Sequence, residues 1–327
     1  MFDLEVISPI LLWTAIAIYA AAFVAYAFDL ARRSQLSADA HSVREFELVG
    51  AGARGGAVKG AKASASGSDV APQRFVMARI GTSLTVLAFI FHLGATLTRG
   101  FAAGRVPWAN LYEFAMIGTL LITAVYLIVL LRVDLKFLGT FIVGLVLVLL
   151  GLASTNFYVE VSPLMDPLKS VWLVIHVFVA SLGTAFFALA FALSVIQLMQ
   201  SRRERLVAEG AEKTGPGFLR TFPGSERLES MAYRFTIIGF ILWTFTLIAG
   251  SIWAYYAWSR FWGFDVKETW TFVIWVLYAG YIHARATRGW RGNPSAWLAI
   301  VGFSAVLFNF TIVNVFFKGL HAYSGLS

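Results

Sequence analysis

The chain has no cysteine. That absence excludes disulfides, thiolate metal sites and a thiol nucleophile, so any thiol chemistry must come from a partner. Charge is nearly as scarce: Asp, Glu, Lys and Arg make up 13% of the 327 residues, against about one quarter in soluble domains. With 59% hydrophobic residues and a mean hydropathy of +0.74, the composition excludes an ordinary soluble domain. It indicates a polytopic membrane protein whose solvent is the lipid bilayer. A basic leader signature is also scarce. Asp3 and Glu5 precede the first apolar run in place of a basic region, and no A-x-A-like site clearly follows it, so that run is expected to be retained. The net charge of +8 does not indicate nucleic acid, because the Lys and Arg residues cluster in short loops between apolar runs, where they act as topology signals.

What is present is a series of eight apolar segments, each close to the roughly 20 residues needed to cross a bilayer. They lie near residues 7–29, 76–98, 111–131, 137–154, 171–199, 232–252, 268–286 and 295–316. The expected fold is therefore all-α, with about eight transmembrane helices. The first span occupies residues 1–30 and is followed by a cytoplasmic loop, 31–75, whose Ala/Gly/Ser-rich part buries little and is expected to be disordered. Spans two to five fill 76–200, a basic cytoplasmic loop fills 201–231, and spans six to eight fill 232–327. Basic residues follow the first, third, fifth and seventh spans, among them Arg32, Arg33, Arg132, Lys136, Arg202, Arg203, Arg285 and Arg291. With eight crossings these all fall on one side, which the positive-inside rule makes cytoplasmic. Both termini and the loops near 99–110, 155–170 and 253–267 are then extracytoplasmic.

One of those loops is unusual. The stretch 253–270 reads WAYYAWSRFWGFDVKETW, with Trp253, Trp258, Trp262 and Trp270 around Asp265, Lys267 and Glu268. Anchoring at a membrane interface needs one or two tryptophans per span. Four within eighteen residues suggest an aromatic shelf for a flat, largely apolar ligand, with charges at its edge; the alternative is a rich aromatic belt. Five histidines accompany it. His41 lies in the polar first loop and is expected to be solvated. His176, near the outer end of the fifth span, and His321, after the eighth, lie on the side of the Trp stretch. Two imidazoles on opposite faces of a flat ring satisfy a six-coordinate haem iron; taken singly, each is an ordinary interfacial hydrogen-bonding group. His92 and His283 lie within spans, where ionisable residues are functional candidates. His283 is about 20 Å deeper than Trp270 and His92 about 10 Å below Arg99 at 1.5 Å per residue, too different in depth for one iron. A metal on His283 would draw its second ligand from another chain. His92 is equally well explained by a hydrogen bond to a neighbouring helix, and pairing of His176 with His92 stays open beside pairing with His321. Glu113, Asn309 and Asn314 are expected to satisfy one another or the backbone.

The run containing WAYYAWSRFWGFDVKETW, WVLYAGYIHARATRGWRG and VNVFFKGLHAYSG, together with RVPWANLYEF and PLMDPLKSVWLVIHVF upstream, resembles the CcsA/ResC family of cytochrome c biogenesis proteins, labelled CcsB in actinobacteria. The wider group with this Trp-rich, or WWD, domain includes the CcmC and CcmF families. One departure is local: Phe264 and Val266 stand where the family usually has Trp and Pro.

The resemblance implies a haem b site on the outer surface of the plasma membrane. His176 and His321 would be its axial ligands, and Trp253, Trp258, Trp262, Phe264, Asp265, Glu268 and Trp270 its platform. His283 would be a transmembrane haem ligand, with His92 a further candidate. A ResB-type partner would supply the complementary transmembrane histidine. The implied activity is that of a cytochrome c haem lyase or synthase subunit, attaching haem vinyl groups to the CxxCH cysteines of an apocytochrome c. A separate thiol-reducing membrane protein would keep those cysteines free. Rival readings are a haem carrier or exporter without ligation chemistry, and a small-ion transporter using the intramembrane histidines as a proton relay. No inverted repeat or pair of Gly/Pro-broken helices supports the transporter.

Overall fold

The structure is a computed structural model, and it describes residues 4–52, 76–287, 289–317 and 319–321. Eight long helices make up the fold: α1 (Leu4–Gly52), α2 (Val76–Ala103), α3 (Leu111–Leu130), α4 (Gly139–Asn156), α5 (Val171–Ala208), α6 (Ser225–Trp258), α7 (Val266–Thr287) and α8 (Asn293–Phe308). α8 continues through a π-helical turn, Asn309–Val313, into a last helical turn, Asn314–Phe316. No strand occurs among the described residues. The expected all-α polytopic membrane fold is what is found. All but α7 are long and apolar enough to cross a membrane. At 22 residues α7 also has the length, about 33 Å at 1.5 Å per residue, but it carries Lys267, Glu268, His283 and Arg285 at its ends.

The helices begin where capping residues stand. Asn110 accepts the Glu113 backbone N–H (2.9 Å) at the start of α3, and Ser170 accepts that of Trp172 (3.2 Å) at the start of α5, each satisfying a donor that the first helical turn leaves open. Elements run past the apolar runs in several places. Residues 31–52, expected within a loop, continue α1 to Gly52, because no Gly or Pro interrupts the chain before Gly50 and charged residues such as Arg and Glu are good helix formers. Arg33 ties this extension to Asp29 at 2.6 Å. The Ala/Gly/Ser-rich part of the expected loop, 53–75, lies outside the described residues, as does the side chain of His41. In the same way α5 reaches Ala208 and α6 starts at Ser225, shortening the expected basic loop.

α1 packs along α2 and α5 along α6, and these two pairs are the most extensive helix contacts; α3 and α8 join the halves through α5. Lipid supplies no hydrophobic force between helices, so close backbone approach has to do the work. At the α5–α6 crossing, a Cβ on Gly239 would meet the Phe187 ring at 2.7 Å and the Gly183 carbonyl at 3.2 Å. Behind that crossing, Phe187 stacks on Tyr278 of α7 with centroids 3.7 Å apart. Ile10, Phe28, Ile90, Leu97, Ile241 and Ile248 stay exposed and face lipid. A nearly wholly apolar cavity of about 790 Å³ lies between α3, α4, α5 and α8, without the convergent polar groups that mark a specific site.

Candidate functional site

The Trp-rich stretch is not a long loop. Trp253 and Trp258 belong to the last turns of α6, Trp270 lies on α7, and only residues 259–265 connect the helices. Ser259 ends α6 in the left-handed conformation (φ 55°), its N–H bonded to the Tyr255 carbonyl. The start of α7 explains DVKE. The Asp265 carboxylate accepts the Lys267 backbone N–H (3.3 Å), while Glu268 Oε2 reaches back to the N–H groups of Asp265 (3.1 Å) and Gly263 (2.8 Å). This is a reciprocal capping box. Val266 occupies the first helical position, where proline is well accommodated, which accounts for the exchange with the family's usual Pro.

Asp265 has a second role. Its Oδ2 accepts from His321 Nδ1 at 2.8 Å, and its Oδ1 accepts the Leu320 backbone N–H at 3.0 Å. The hydrogen bond from His321, aided by the two backbone N–H groups, holds the Asp265 carboxyl below the usual carboxylate range against the opposing effect of burial. On α5, His176 Nδ1 lies 3.0 Å from the Thr246 carbonyl of α6. In both imidazoles Nδ1 is fixed as the donor and Nε2 is left as the acceptor nitrogen, the arrangement in which an outer partner orients a metal-ligating histidine. Thr246, Gly250 and Trp253 recur at helical spacing on one face of α6, and Gly250 is what lets the imidazole lie there: a Cβ would meet His176 Cε1 at 2.7 Å.

Trp253, almost fully buried, stands beside both histidines. Its ring is stacked with His176 (5.8 Å between centroids, 17°) and edge-on to His321 (5.3 Å, 66°). Trp258 meets His321 at 4.9 Å. Two open cavities flank this group. One, of about 470 Å³, is lined by Gly250, Phe261, Trp262, Glu268 and Thr271; the other, of about 560 Å³, by Trp108, Asn110, Phe114, Phe310 and Asn314. His176, Trp253, Lys267 and His321 line both. The mix of aromatic walls with a few oriented polar groups suits a flat ligand.

The family described as Cytochrome C assembly protein matches residues 108–321, a span that contains this whole site. The chain belongs to that family. Within it, the chain is 32% identical over 262 residues to cytochrome c biogenesis protein CcsA of Guillardia theta, covering 76% of this chain and 86% of the relative. It is 34% identical over 245 residues to CcsA of Prochlorococcus marinus, covering 69% and 78%. Among solved structures, cytochrome c heme lyase CcmF superposes with a TM-score of 0.62 at 16% identity, over 95% of this chain and 47% of that one, a likeness of fold. This is a CcsA/ResC-type protein of cytochrome c biogenesis, a multi-pass membrane protein with a role in cytochrome c maturation.

In this CcsA-type chain the geometry gathers some of the residues singled out from sequence and separates others. His176, His321, Trp253, Trp258, Trp262, Asp265 and Glu268 gather in one place. Two platform candidates do not join them: Trp270 packs on Phe308 at 4.5 Å, and Phe264 is 83% exposed at a left-handed backbone position (φ 56°), and neither lines either cavity. His92 is buried between α1, α2 and α3, edge-on to Tyr19 with Nδ1 3.4 Å from its hydroxyl, and shares no cavity with His176. His283 is exposed on α7. Glu113 does not pair with Asn309 or Asn314 but with Arg99 (2.9 Å) and Arg105 (2.8 Å). Asn314 accepts from Lys267 Nζ (2.6 Å), and Asn309 donates to Thr271 (3.2 Å). Lining residues outside the platform expected from sequence include Thr246, Gly250, Phe261 and Phe310; the helical spacing of Thr246, Gly250 and Trp253 was the available signal for the α6 pair.

Proposed function

We propose that the chain holds haem b between the imidazoles of His176 and His321 and presents it to the CxxCH cysteines of an apocytochrome c. The observation that supports this most is the pair of imidazoles, each with Nδ1 tied back and Nε2 left as acceptor, sharing two cavities with a buried Trp. Two neutral nitrogens suit an iron that arrives with its own four equatorial donors. Among the described residues no group of three or more His, Asp or Glu is placed to hold a bare metal ion. In thioether formation each substrate thiol adds across a haem vinyl group, sulfur bonding to one carbon and the proton ending on the other. The step needs no nucleophile from this cysteine-free chain, whose contribution is positioning. Trp253 and Trp262 offer ring faces and edges to the porphyrin, Trp258 packs against His321, and Asp265 orients His321 while Glu268 caps the helix that carries Lys267.

In this reading the site end of the bundle and both termini face the outside of the plasma membrane, and a reducing system acts separately on the apocytochrome. His283, exposed on α7, would ligate haem in transit together with a histidine of a ResB-type partner. Absorption spectra of the purified protein test the core of the proposal. Wild type is expected to carry low-spin haem, and His176→Ala and His321→Ala each to lose it and regain it with imidazole. Indifference of the haem to both substitutions would sink the assignment. Haem attached covalently to a co-expressed CxxCH reporter separates a synthase from a carrier.

A further inference from the structure

Lys267 lies in both cavities with His176, Trp253 and His321, yet its ammonium forms no ion pair among the described residues; its hydrogen bond goes to the neutral amide oxygen of Asn314 at 2.6 Å. Neither neighbouring carboxylate forms an ion pair with Lys267, although Glu268 Oε1 is itself without a hydrogen bond. Asp265 serves His321, Leu320 and the Lys267 backbone, and Glu268 Oε2 serves Gly263 and Asp265. A cation drawn away from water without a direct ion pair is costly. It also stands in the first turn of α7, where the helix dipole adds positive potential.

We infer that Lys267, held by Asn314, is the anchor for a carboxylate of the bound porphyrin. The inference rests on the haem reading above and adds what two axial ligands cannot supply. Two imidazoles fix the plane of the macrocycle but leave it free to rotate about the His–Fe–His axis. A cation at the rim engages a carboxylate, which lies at one edge of the ring, and so sets which edge faces the incoming peptide. Lys267 is thus a positioning residue that governs the in-plane orientation of haem and leaves the iron ligands unchanged.

The test is a titration of the purified, haem-free full-length protein with haem and with haem dimethyl ester, whose carboxylates are blocked. The low-spin absorption band reports binding. Wild type is expected to prefer the free acid by about tenfold or more, the range for a charge-assisted hydrogen bond. Lys267→Gln should remove that preference and Lys267→Arg should keep most of it, both with an unaltered low-spin band. Asn314→Ala should reduce the preference and serves as the second variant if Lys267→Gln fails to fold. Equal affinity of wild type for acid and ester, with a low-spin spectrum, overturns the inference and leaves the haem site standing. Binding of neither compound overturns both.

Discussion

Two buried polar clusters stand side by side at one end of the bundle, and their hydrogen-bonding capacity is filled to different degrees. In the first, Glu113 accepts from Arg99, from two nitrogens of Arg105 and from the Ala109 backbone N–H, which fills about the four acceptor positions of a carboxylate. The two guanidinium groups continue to the carbonyls of Val159 and Ser162. The carboxylate is saturated, although Arg105 Nε is buried without a partner, and the cluster fixes the segment before α3 that supplies Trp108 and Asn110 to one of the cavities. In the second, around His176 and His321, each imidazole is half satisfied, the Lys267 ammonium has only an amide partner, and Glu268 Oε1 is buried with no hydrogen bond. A buried carboxylate whose acceptor positions are all filled by the surrounding chain builds architecture. A cluster that leaves oriented acceptors and a cation unfilled inside a cavity is built to receive something.

The comparison breaks most visibly at Glu113. Glu113→Gln removes the negative partner of two buried arginines, and loss of one member of a buried pair costs about 3–5 kcal/mol. A large fall in the thermal midpoint in detergent is expected, with the haem band of the remaining folded protein unmoved. A shifted band with intact stability would mean that Glu113 acts on the ligand, and the division between the clusters would be wrong.

Asp265→Asn should do the reverse. Outer-shell partners of metal-ligating histidines typically change affinity by about 10–100-fold, so haem binding should weaken by that order while the fold persists. The pH dependence sharpens the point. Because the folded-state carboxyl is held below its ordinary value, its contribution to folding is fully present above the ordinary carboxylate pKa of about 4. It disappears as pH falls through the lower, folded value. Wild type should therefore keep its haem band from neutral pH down to mild acid and lose this support only in strong acid. The variant should be weaker throughout and lack that acid limb. A wild-type loss centred near pH 6 would assign control to a group other than Asp265.

The spans were legible because lipid demands uninterrupted apolar runs, and the two histidines because they flank such runs on the side of the Trp stretch. Helix ends were less so: Trp253, Trp258 and the charged residues after 30 look like loop in composition but continue α6 and α1, since helix formation tolerates polar residues beyond the bilayer. Long-range partners were hidden as well. Arg99 meets Glu113 across 14 residues and Lys267 meets Asn314 across 47. Arg105, outside the basic residues that set the topology, is a structural ion-pair partner of Glu113. Without a fold, nothing in the order of residues says which cation a buried carboxylate will choose.

Phe264 marks the edge of the site and carries the smallest expected effect. Its backbone is left-handed, which costs a residue with a side chain roughly 1–2 kcal/mol, and its ring contributes only an edge-on contact with Trp262 at 6.2 Å. Phe264→Gly relieves that strain, while glycine's extra freedom in the unfolded chain opposes the gain by about 0.5–1 kcal/mol. The net result should be stability unchanged or raised by up to about 1 kcal/mol, with haem affinity unaltered, since the ring lines neither cavity. Loss of affinity in this variant would instead extend the binding surface past Trp262. The strain at residue 264 would then be held in place to keep an aromatic face toward the ligand, and the sparsely satisfied cluster would reach one residue further along the connection between α6 and α7.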